Sequence, residues 1–358
     1  MWSVRDWVSA GHAMSPAPRL SIGLPVYNGE RHLAASIEAL LGQSYKDFEL
    51  IISDNASTDD TQTICQRYEK QDSRIRYFRQ PRNVGLSANH NFAVKQAQGE
   101  YFKWAAHDDL YARDQVERCV ESLDEHPDAV LANCWTVYID GSGNVTKLYK
   151  FPTTTASDRA PDRFHSLLFD NKGDYTYAVM RTNALRRTPL LGSYFRAEYV
   201  LIAELALHGS FHHIEDWLFF RREHPNEVQT SVRDACAIAD SRRANRLRNP
   251  AIRLYGEYVL GYLTAIRRAP LTPADRRECY LSLARWLASR AVPARDPFGE
   301  ALSAGSQPML YWTRRLAGLA LPGRDVRAGE QAVSMPPDAV PPGFSLHALV
   351  AGQDDGKC

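Results

Sequence analysis

Long apolar runs are absent from this 358-residue sequence, and its six cysteines lie far apart. No apolar stretch approaches the ~18 residues of a membrane-spanning helix, so we expect no transmembrane segment. The N-terminal segment MWSVRDWVSAGHAM contains Asp6 and lacks the apolar core of a signal peptide. Because no C-x-x-C pair occurs, the cysteines are typical of reduced thiols and not of a disulfide scaffold. These absences together predict a cytoplasmic protein.

Net charge is also nearly absent, since 43 Lys and Arg residues are balanced by 42 Asp and Glu residues. This balance gives no indication of nucleic-acid binding. The charge is uneven along the chain, because residues 221–290 hold fourteen Arg, no Lys and seven acidic residues. A solvated helical face is the commoner explanation of such a region, and an anionic partner surface is the alternative.

Glycine-rich phosphate loops are the third absence. The turn after the first predicted strand reads Tyr27-Asn28-Gly29-Glu30, which does not fit G-x-G-x-x-G, and no P-loop occurs. The segment GSGNVT contains two glycines, but its surroundings predict a hairpin turn. Any bound phosphate would therefore depend less on loop amides and more on a metal ion.

Strand and helix patterns alternate from Arg19 to about residue 145, which predicts a parallel sheet with helices on both faces. Ligands of such sheets bind at the carboxyl ends of the strands. The chemically unusual residues follow predicted strands, at Tyr27-Asn28, Asp54-Asn55 and His107 to Asp109. An aromatic ring, a hydrogen-bonding pair and an acidic pair at one crevice suit a nucleotide diphosphate with a divalent cation.

The adjacent carboxylates of Asp108 and Asp109 are the most informative of these features. Taken alone, such a pair more often caps a helix or lies in a solvated turn. Like charges side by side are unfavourable unless a cation compensates them. Mg²⁺ and Mn²⁺ prefer oxygen ligands, take one or two carboxylates, and complete their shell with phosphate and water.

Beyond residue 145 the alternation weakens. Residues 147–161 are predicted to form a loop, FRAEYVLIAELALHG a helix that ends at Gly209, and SFHHIEDWLFFRREH a strand. The pattern is helical over residues 236–320. Residues 322–358 are rich in Pro, Gly, Ala and charge, which predicts disorder.

Four ordered motifs, PVYNGE, DFELIISDNASTDDT, NVGLSANHNFAVKQAQGEY and HDD, together resemble the inverting family 2 glycosyltransferases, over about residues 19–235. The resemblance implies an α/β fold of the GT-A type, with a Rossmann-like sheet and here a C-terminal helical extension. It also implies a UDP, dTDP or GDP sugar as donor, Mn²⁺ or Mg²⁺ as cofactor, and a hydroxyl acceptor. The implied divisions are an N-terminal tail 1–18, a donor half 19–145, an acceptor half 146–235, a helical extension 236–320 and a tail 321–358.

The resemblance also implies site residues. The expected nucleotide-sugar contacts are Pro25, Val26, Tyr27, Asp54, Asn55, Ser87, Asn89, His90, His107, Asp108 and Arg222. The expected metal ligands are Asp109 and His224. Glu198 is the expected general base, with Asp174 as the runner-up, and Tyr177 is expected to line the acceptor site. Without the resemblance, Glu198 would be explained as a first-turn glutamate favoured by the helix dipole, and Tyr177 as a core residue.

Two departures leave the nucleobase open. Many relatives have Asp-Asp-Gly-Ser where this chain has Asp54-Asn55-Ala56-Ser57, and the segment after Gly85 has Asn89-His90 where an arginine is common. An asparagine carbonyl can still accept a base N–H.

Rival functions remain at this point. One is a nucleotidyltransferase, although PVYNGERH lacks the Gly/Arg/Lys-rich loop that such an enzyme normally uses; the other is a non-catalytic module that binds nucleotides or glycans. The acceptor is open among a polysaccharide, a lipid-linked glycan, a protein and a metabolite. For the C-terminal helices we consider homodimerisation and peripheral membrane contact.

Overall fold

The protein is described by a computed structural model that covers residues 17–170, 174–223, 232–245, 248–291 and 334–335. Its strands are β1 Leu20–Val26, β2 Phe48–Asp54, β3 Ile75–Arg79, β4 Tyr101–Trp104, β5 Leu110–Tyr111, β6 Ala129–Ile139, β7 Val145–Tyr149, β8 Val179–Arg181, β9 Ser210–Arg222 and β10 Ser334–Met335. Its α-helices are α1 Leu33–Leu41, α2 Thr61–Gln71, α3 Leu86–Gln96, α4 Gln115–Glu125, α5 Ala160–Asp170, α6 Thr182–Arg186, α7 Ala197–Ala206, α8 Val232–Ala239, α9 Ala251–Arg268 and α10 Pro273–Ala291.

One mixed sheet organises the chain, with the strand order β10-β7-β6-β8-β4-β1-β2-β3. The strands β3, β2, β1 and β4 are parallel neighbours, which confirms the predicted parallel half. β8 lies between β4 and β6 and is antiparallel to both. β9 runs parallel to β6 and also pairs with the short β5 that follows the acidic turn. The acidic turn is thereby tied to a strand more than a hundred residues further along.

Helices cover the sheet on both faces, as the apolar strand sequences require. Every residue of β1 and β2 is buried, which is typical of strands between two helical layers. α1 packs through Leu33, Ile37 and Leu40 into the core on one face of the sheet. α5, α7, α9 and α10 contribute to the core on the other face.

The acceptor half departs from the prediction. Residues 147–149 belong to β7 and not to a loop, because the short VTKLY segment forms a hairpin with β6. The turn of this hairpin contains the GSGN segment, as predicted. Ser334–Met335, in the tail that we predict to be disordered, pairs with the edge of β7. The predicted helical segment 292–320 and the rest of the tail lie outside the described residues, as does the N-terminal tail up to residue 16.

The helices that follow β9 complete the second core. Tyr258, Tyr262 and Trp286 are buried there, with their rings 5.1 to 5.8 Å apart. The buried Glu204 of α7 accepts two hydrogen bonds from Arg268 of α9, at 2.6 and 3.1 Å. Glu204 therefore faces α9, a direction that the sequence leaves undecided. No helix among the described residues has both the length and the apolar character needed to span a bilayer.

Truncation after residue 235 should therefore destabilise the remaining donor and acceptor halves. It would uncover the side chains that pack on α9 and α10, at about 1.5–3 kcal/mol for each large side chain exposed. We expect a much lower melting temperature, measured by differential scanning calorimetry. A truncated protein with an unchanged melting temperature and hydrodynamic size would contradict this expectation.

Candidate active site

The turn after β1 leaves one ring exposed at the strand end. Pro25 and Val26 are buried within β1, whereas Tyr27 is 46% exposed. Asn28 has a positive φ of 51°, and its backbone N–H donates to the Ser57 hydroxyl at 2.9 Å. The turns after β1 and β2 are thereby joined, and the Tyr27 ring is presented to solvent at their edge.

A close approach at Gly29 joins the turn after β1 to the turn after β4. A Cβ atom at Gly29 would lie 2.7 Å from Cδ2 of His107 and 2.6 Å from Cγ2 of Val26. Only glycine leaves room for this packing, because either distance is shorter than ordinary contact. The three predicted strand ends therefore share one edge of the sheet, as we expect from the sequence.

Asp54 and Asn55 lie at this edge but are engaged by the protein. Asp54 is fully buried and accepts hydrogen bonds from Ser57 N–H at 2.8 Å, Tyr77 Oη at 2.8 Å and Arg79 Nε at 3.2 Å. The Asn55 carbonyl accepts from the backbone of the loop before α3, at 2.8 Å. The Asn55 amide nitrogen in turn donates to Asn83 Oδ1 at 3.0 Å. These contacts favour a supporting role for both Asp54 and Asn55.

The three expected contacts on α3 also hold the fold together. Ser87 donates to the Gly192 carbonyl at 2.8 Å. Asn89 is buried and both donates to and accepts from Ser53, at 2.7 Å in each case. His90 contacts the Leu86 carbonyl through Nδ1 at 2.9 Å, and burial lowers the pKa of His90 to about 4. Ser87 and Asn89 therefore position α3 against its neighbours.

The acidic turn combines one buried and one partly exposed carboxylate. Asp109 is buried, and its Oδ1 accepts the backbone N–H of Arg222 at 2.8 Å. Burial and the neighbouring Asp108 carboxylate raise the pKa of Asp109 well above its ordinary value. The Arg221 charge partly offsets that rise. A positive charge beside Asp109 would therefore favour its ionised form.

This chemistry fits a divalent cation held by few protein ligands. Among the described residues, none donates a hydrogen bond to Oδ2 of Asp109, so that oxygen can serve as an inner ligand. The described part of the chain has no cluster of three His, Cys, Asp or Glu residues suited to a metal. Mg²⁺ and Mn²⁺ accept such a sparse protein site when phosphate and water complete the shell. The expected ligand His224 lies outside the described residues.

Arg222 holds the acidic turn in place. Its Nε donates to the Asp108 carbonyl at 3.0 Å and its Nη1 to the Asp140 carbonyl at 2.7 Å. Because its guanidinium already donates to two main-chain carbonyls, this arrangement favours positioning of the turn over direct phosphate contact.

The runner-up base, Asp174, lies in a buried cluster of polar side chains. It forms an ion pair with Arg221 and accepts a hydrogen bond from Tyr138 Oη at 2.5 Å. Both carboxylate oxygens are thus engaged, which disfavours Asp174 as a base. Tyr177, three residues on, packs against Phe219 at 5.5 Å, and burial followed by the Asp109 charge raises its pKa. Tyr177 therefore lies between the core and the acidic turn.

Glu198 has the properties that a general base needs. It lies in the first turn of α7, is half-buried, and has no hydrogen bond or ion pair with another described side chain. Burial raises the pKa of Glu198, and the Arg196 and Arg221 charges partly offset this. Arg196 has a positive φ of 53° at the start of the helix, a strained conformation that is concentrated at functional sites. The Arg221 charge thus acts on both Glu198 and Asp109.

Sequence reasoning missed Lys103, a fully buried lysine in β4. Its ammonium donates to the Tyr177 carbonyl and lies 4.8 Å from the Tyr111 ring centre and 5.6 Å from that of Phe219. Burial lowers the pKa of Lys103 to about 8, and the nearby Asp109 charge opposes that change. The signal in the sequence is a single lysine within the apolar run YFKWAA, just before the acidic turn.

Comparison with known families agrees with this geometry. Residues 21–195 match the family model described as glycosyl transferase family 2. These residues, just under half of the chain, are thus similar to family 2 glycosyltransferases. The matched residues include the three strand ends, the acidic turn and Asp174, and they end just before Glu198.

The curated relatives match this chain over about a third of its length. A glycosyltransferase of Rickettsia typhi is 37% identical over 109 residues, which is 30% of this chain and 33% of that protein. The GalNAc(5)-diNAcBac-PP-undecaprenol beta-1,3-glucosyltransferase of Campylobacter jejuni is 33% identical over 131 residues, 36% of this chain and 41% of that protein. The chain thus spans between a third and a half of the length of these two relatives.

The fold extends further than the sequence similarity. The structure of S. aureus TarS residues 1–349 in complex with UDP superposes with a TM-score of 0.54 at 16% identity, covering 84% of this chain and 88% of that one. The fold is therefore the GT-A type that the sequence motifs predict, with a C-terminal helical region in addition.

Proposed function

We propose that this protein transfers a sugar from a nucleotide-diphosphate sugar to a hydroxyl acceptor, with inversion at the anomeric carbon. The observation that carries the proposal is the half-buried Glu198 carboxylate in the first turn of α7, which no other described side chain engages. The position of Glu198 at the start of a helix, outside the sheet edge, supports approach from the acceptor side.

On the donor side, Tyr27 offers a stacking platform for the base, and the backbone N–H of Asn55 donates to the Val26 carbonyl just before it, at 2.8 Å. Asp109 and Asp108 would hold a divalent cation, which when bound supplies positive charge against the departing diphosphate. Arg222 holds that turn in position through hydrogen bonds from its guanidinium to main-chain carbonyls.

On the acceptor side, Glu198 accepts the proton of the attacking hydroxyl. The acceptor oxygen forms the new bond to the anomeric carbon as the bond to the diphosphate oxygen breaks, so the two oxygens lie on opposite faces of the sugar. A general base typically contributes ~10²–10⁴ to such a rate. A raised pKa makes Glu198 a stronger base than an exposed glutamate.

The name of one relative indicates which acceptor class to test first. The C. jejuni protein is named for transfer of glucose to an undecaprenol-linked glycan. A lipid-linked glycan is therefore the first acceptor class to test, with UDP, dTDP and GDP sugars as donors.

Released nucleoside diphosphate is the readout that tests the reaction class. The full-length protein is incubated with each nucleotide sugar and Mn²⁺, with a lipid-linked glycan present or absent. Diphosphate release that increases with acceptor supports transfer. Pyrophosphate formed from a sugar phosphate and a nucleoside triphosphate would instead show nucleotidyl transfer, and donor binding without turnover would show a binding module. A mock purification from cells that do not express the protein is the blank for contaminating hydrolases.

Replacing Tyr27 with alanine should weaken nucleotide binding by about 1–3 kcal/mol, the range for a base on an aromatic platform. Stability should change little, because the ring is half-exposed. Calorimetric titration with UDP measures the affinity, and Tyr27→Phe, which keeps the ring, is the matched control. Equal affinity for the wild type and Tyr27→Ala would remove Tyr27 from the site.

A further inference from the structure

Helix α9 is apolar on the side that faces away from the core. Its inner side buries Leu254, Tyr258 and other residues in the core that α9 shares with α5 and α7. Its outer side carries Ile252, Leu260 and Leu263, which are 48%, 58% and 40% exposed. A surface helix normally has a polar outer side. We call the outer side, formed by Ile252, Arg253, Gly256, Leu260, Leu263, Thr264 and Arg267, the outer face of α9.

The charged side chains on the outer face are all arginines. Arg253 and Arg267 lie between the aliphatic side chains. Glu257 lies at the border of the face, is half-buried, and is shared by Arg243 at 2.5 Å and Arg253 at 3.1 Å. The surrounding sequence extends this bias, since residues 221–290 contain fourteen Arg and seven acidic residues.

We propose that the outer face of α9 docks on an anionic lipid surface. A helix lying in a membrane interface needs exposed aliphatic side chains together with flanking cationic residues, and the outer face has both. Attraction to anionic lipid acts on each arginine near the surface. A second copy of the chain fits less well, because a two-fold contact through this face would bring the arginines of both copies together.

Vesicle flotation tests the proposal without any donor or acceptor, so its outcome is independent of the proposed reaction. Full-length protein is mixed with vesicles of phosphatidylcholine alone or with phosphatidylglycerol added. We expect binding to the anionic vesicles that decreases as salt is raised. The double variant Leu260→Glu/Leu263→Glu should bind at least about tenfold more weakly, because it places negative charge against anionic lipid. Leu86→Glu, at an exposed leucine of α3, is the matched control and should bind like the wild type.

A second double variant tests how much the arginine charges contribute to vesicle binding. Arg253→Gln/Arg267→Gln keeps the aliphatic side chains, and we expect about fivefold weaker binding for each arginine lost, together with a smaller salt dependence. Circular dichroism checks that each variant is folded. Absence of binding to anionic vesicles, or equal binding by the Leu260→Glu/Leu263→Glu variant, would overturn the proposal. A dimer seen by light scattering that Leu260→Glu/Leu263→Glu converts to a monomer, without any vesicle binding, would also overturn the proposal. That result would assign the outer face of α9 to a second copy of the chain.

Discussion

Asp109→Ala should reduce turnover by roughly 10²–10³-fold or more, the range for losing a group that stabilises developing charge. Asp109 is the buried carboxylate of the acidic turn, with one oxygen that no described residue donates to. Without Asp109, the protein loses the carboxylate that would bind the divalent cation, and the departing diphosphate loses the positive charge of that cation. Initial rates of diphosphate release, measured across a Mn²⁺ titration, quantify the loss, and calorimetric titration with Mn²⁺ in the presence of nucleotide should show weaker metal binding.

Asp109→Asn separates charge from packing in the same experiment. Asparagine can still accept the Arg222 N–H but lacks the negative charge, so we expect activity as low as for alanine. Because burial raises the pKa of Asp109, its ionised form costs folding free energy at neutral pH when no cation is bound. The asparagine variant should therefore melt at no lower temperature than the wild type. Asp114→Asn, at a half-exposed acid of the following helix, is the control and should retain full activity. Full wild-type turnover in excess chelator would refute the metal assignment.

The donor half could be predicted from sequence because its signals are local. Each βα unit carries its own strand, turn and helix pattern, and the parallel order of β1, β2, β3 and β4 follows from these units. Tyr27 and the acidic turn lie at strand ends for the same reason. What local patterns do not reveal is the partner of each polar side chain. Asn89 faces Ser53, which lies 36 residues away in sequence, and so it supports the sheet edge.

In the acceptor half, α7 and β9 lie where the sequence predicts a helix and a strand. The strand order of this half could not be predicted, because its contacts are distant in sequence. β8 has three residues and lies between strands that precede it in the chain, so it shows no recognisable pattern alone. The pairing of β9 with β6 and β5 brings Arg221 to Asp174 and Arg222 to Asp109. Sequence alone gives no indication of which of two adjacent arginines contacts the carboxylate of Asp174 and which holds the acidic turn.

The choice of general base also depends on contacts that the sequence does not reveal. The family resemblance implies Glu198 as the base, with Asp174 as the runner-up, and the contacts favour the same order. The Asp174 carboxylate is engaged by Arg221 and Tyr138. Glu198 is half-buried and has no described side-chain partner. A base must be able to receive a proton from the acceptor, so the geometry favours Glu198.

Glu198→Gln should therefore lower the transfer rate by ~10²–10⁴-fold, the range for losing a general base. Donor and metal binding should be unchanged, because Glu198 holds neither. Single-turnover transfer rates, together with calorimetric donor affinity, separate these two effects. In the wild type, activity should fall as the pH drops through the pKa of Glu198, because only the ionised carboxylate accepts a proton. Burial raises that pKa, so the acidic limb should lie above the ordinary range of glutamate.

Asp174→Asn is the matched variant that distinguishes the two carboxylates. It breaks a buried ion pair with Arg221, so the melting temperature should fall, whereas Glu198→Gln should leave it nearly unchanged. If Glu198→Gln transfers at the wild-type rate with the same acidic limb and Asp174→Asn does not, the base is Asp174. The anomeric configuration of the product, determined by NMR, tests the stereochemistry separately. A single base that deprotonates the acceptor opposite the diphosphate gives inversion, so a product that retains the donor configuration would require a different mechanism and a different role for Glu198.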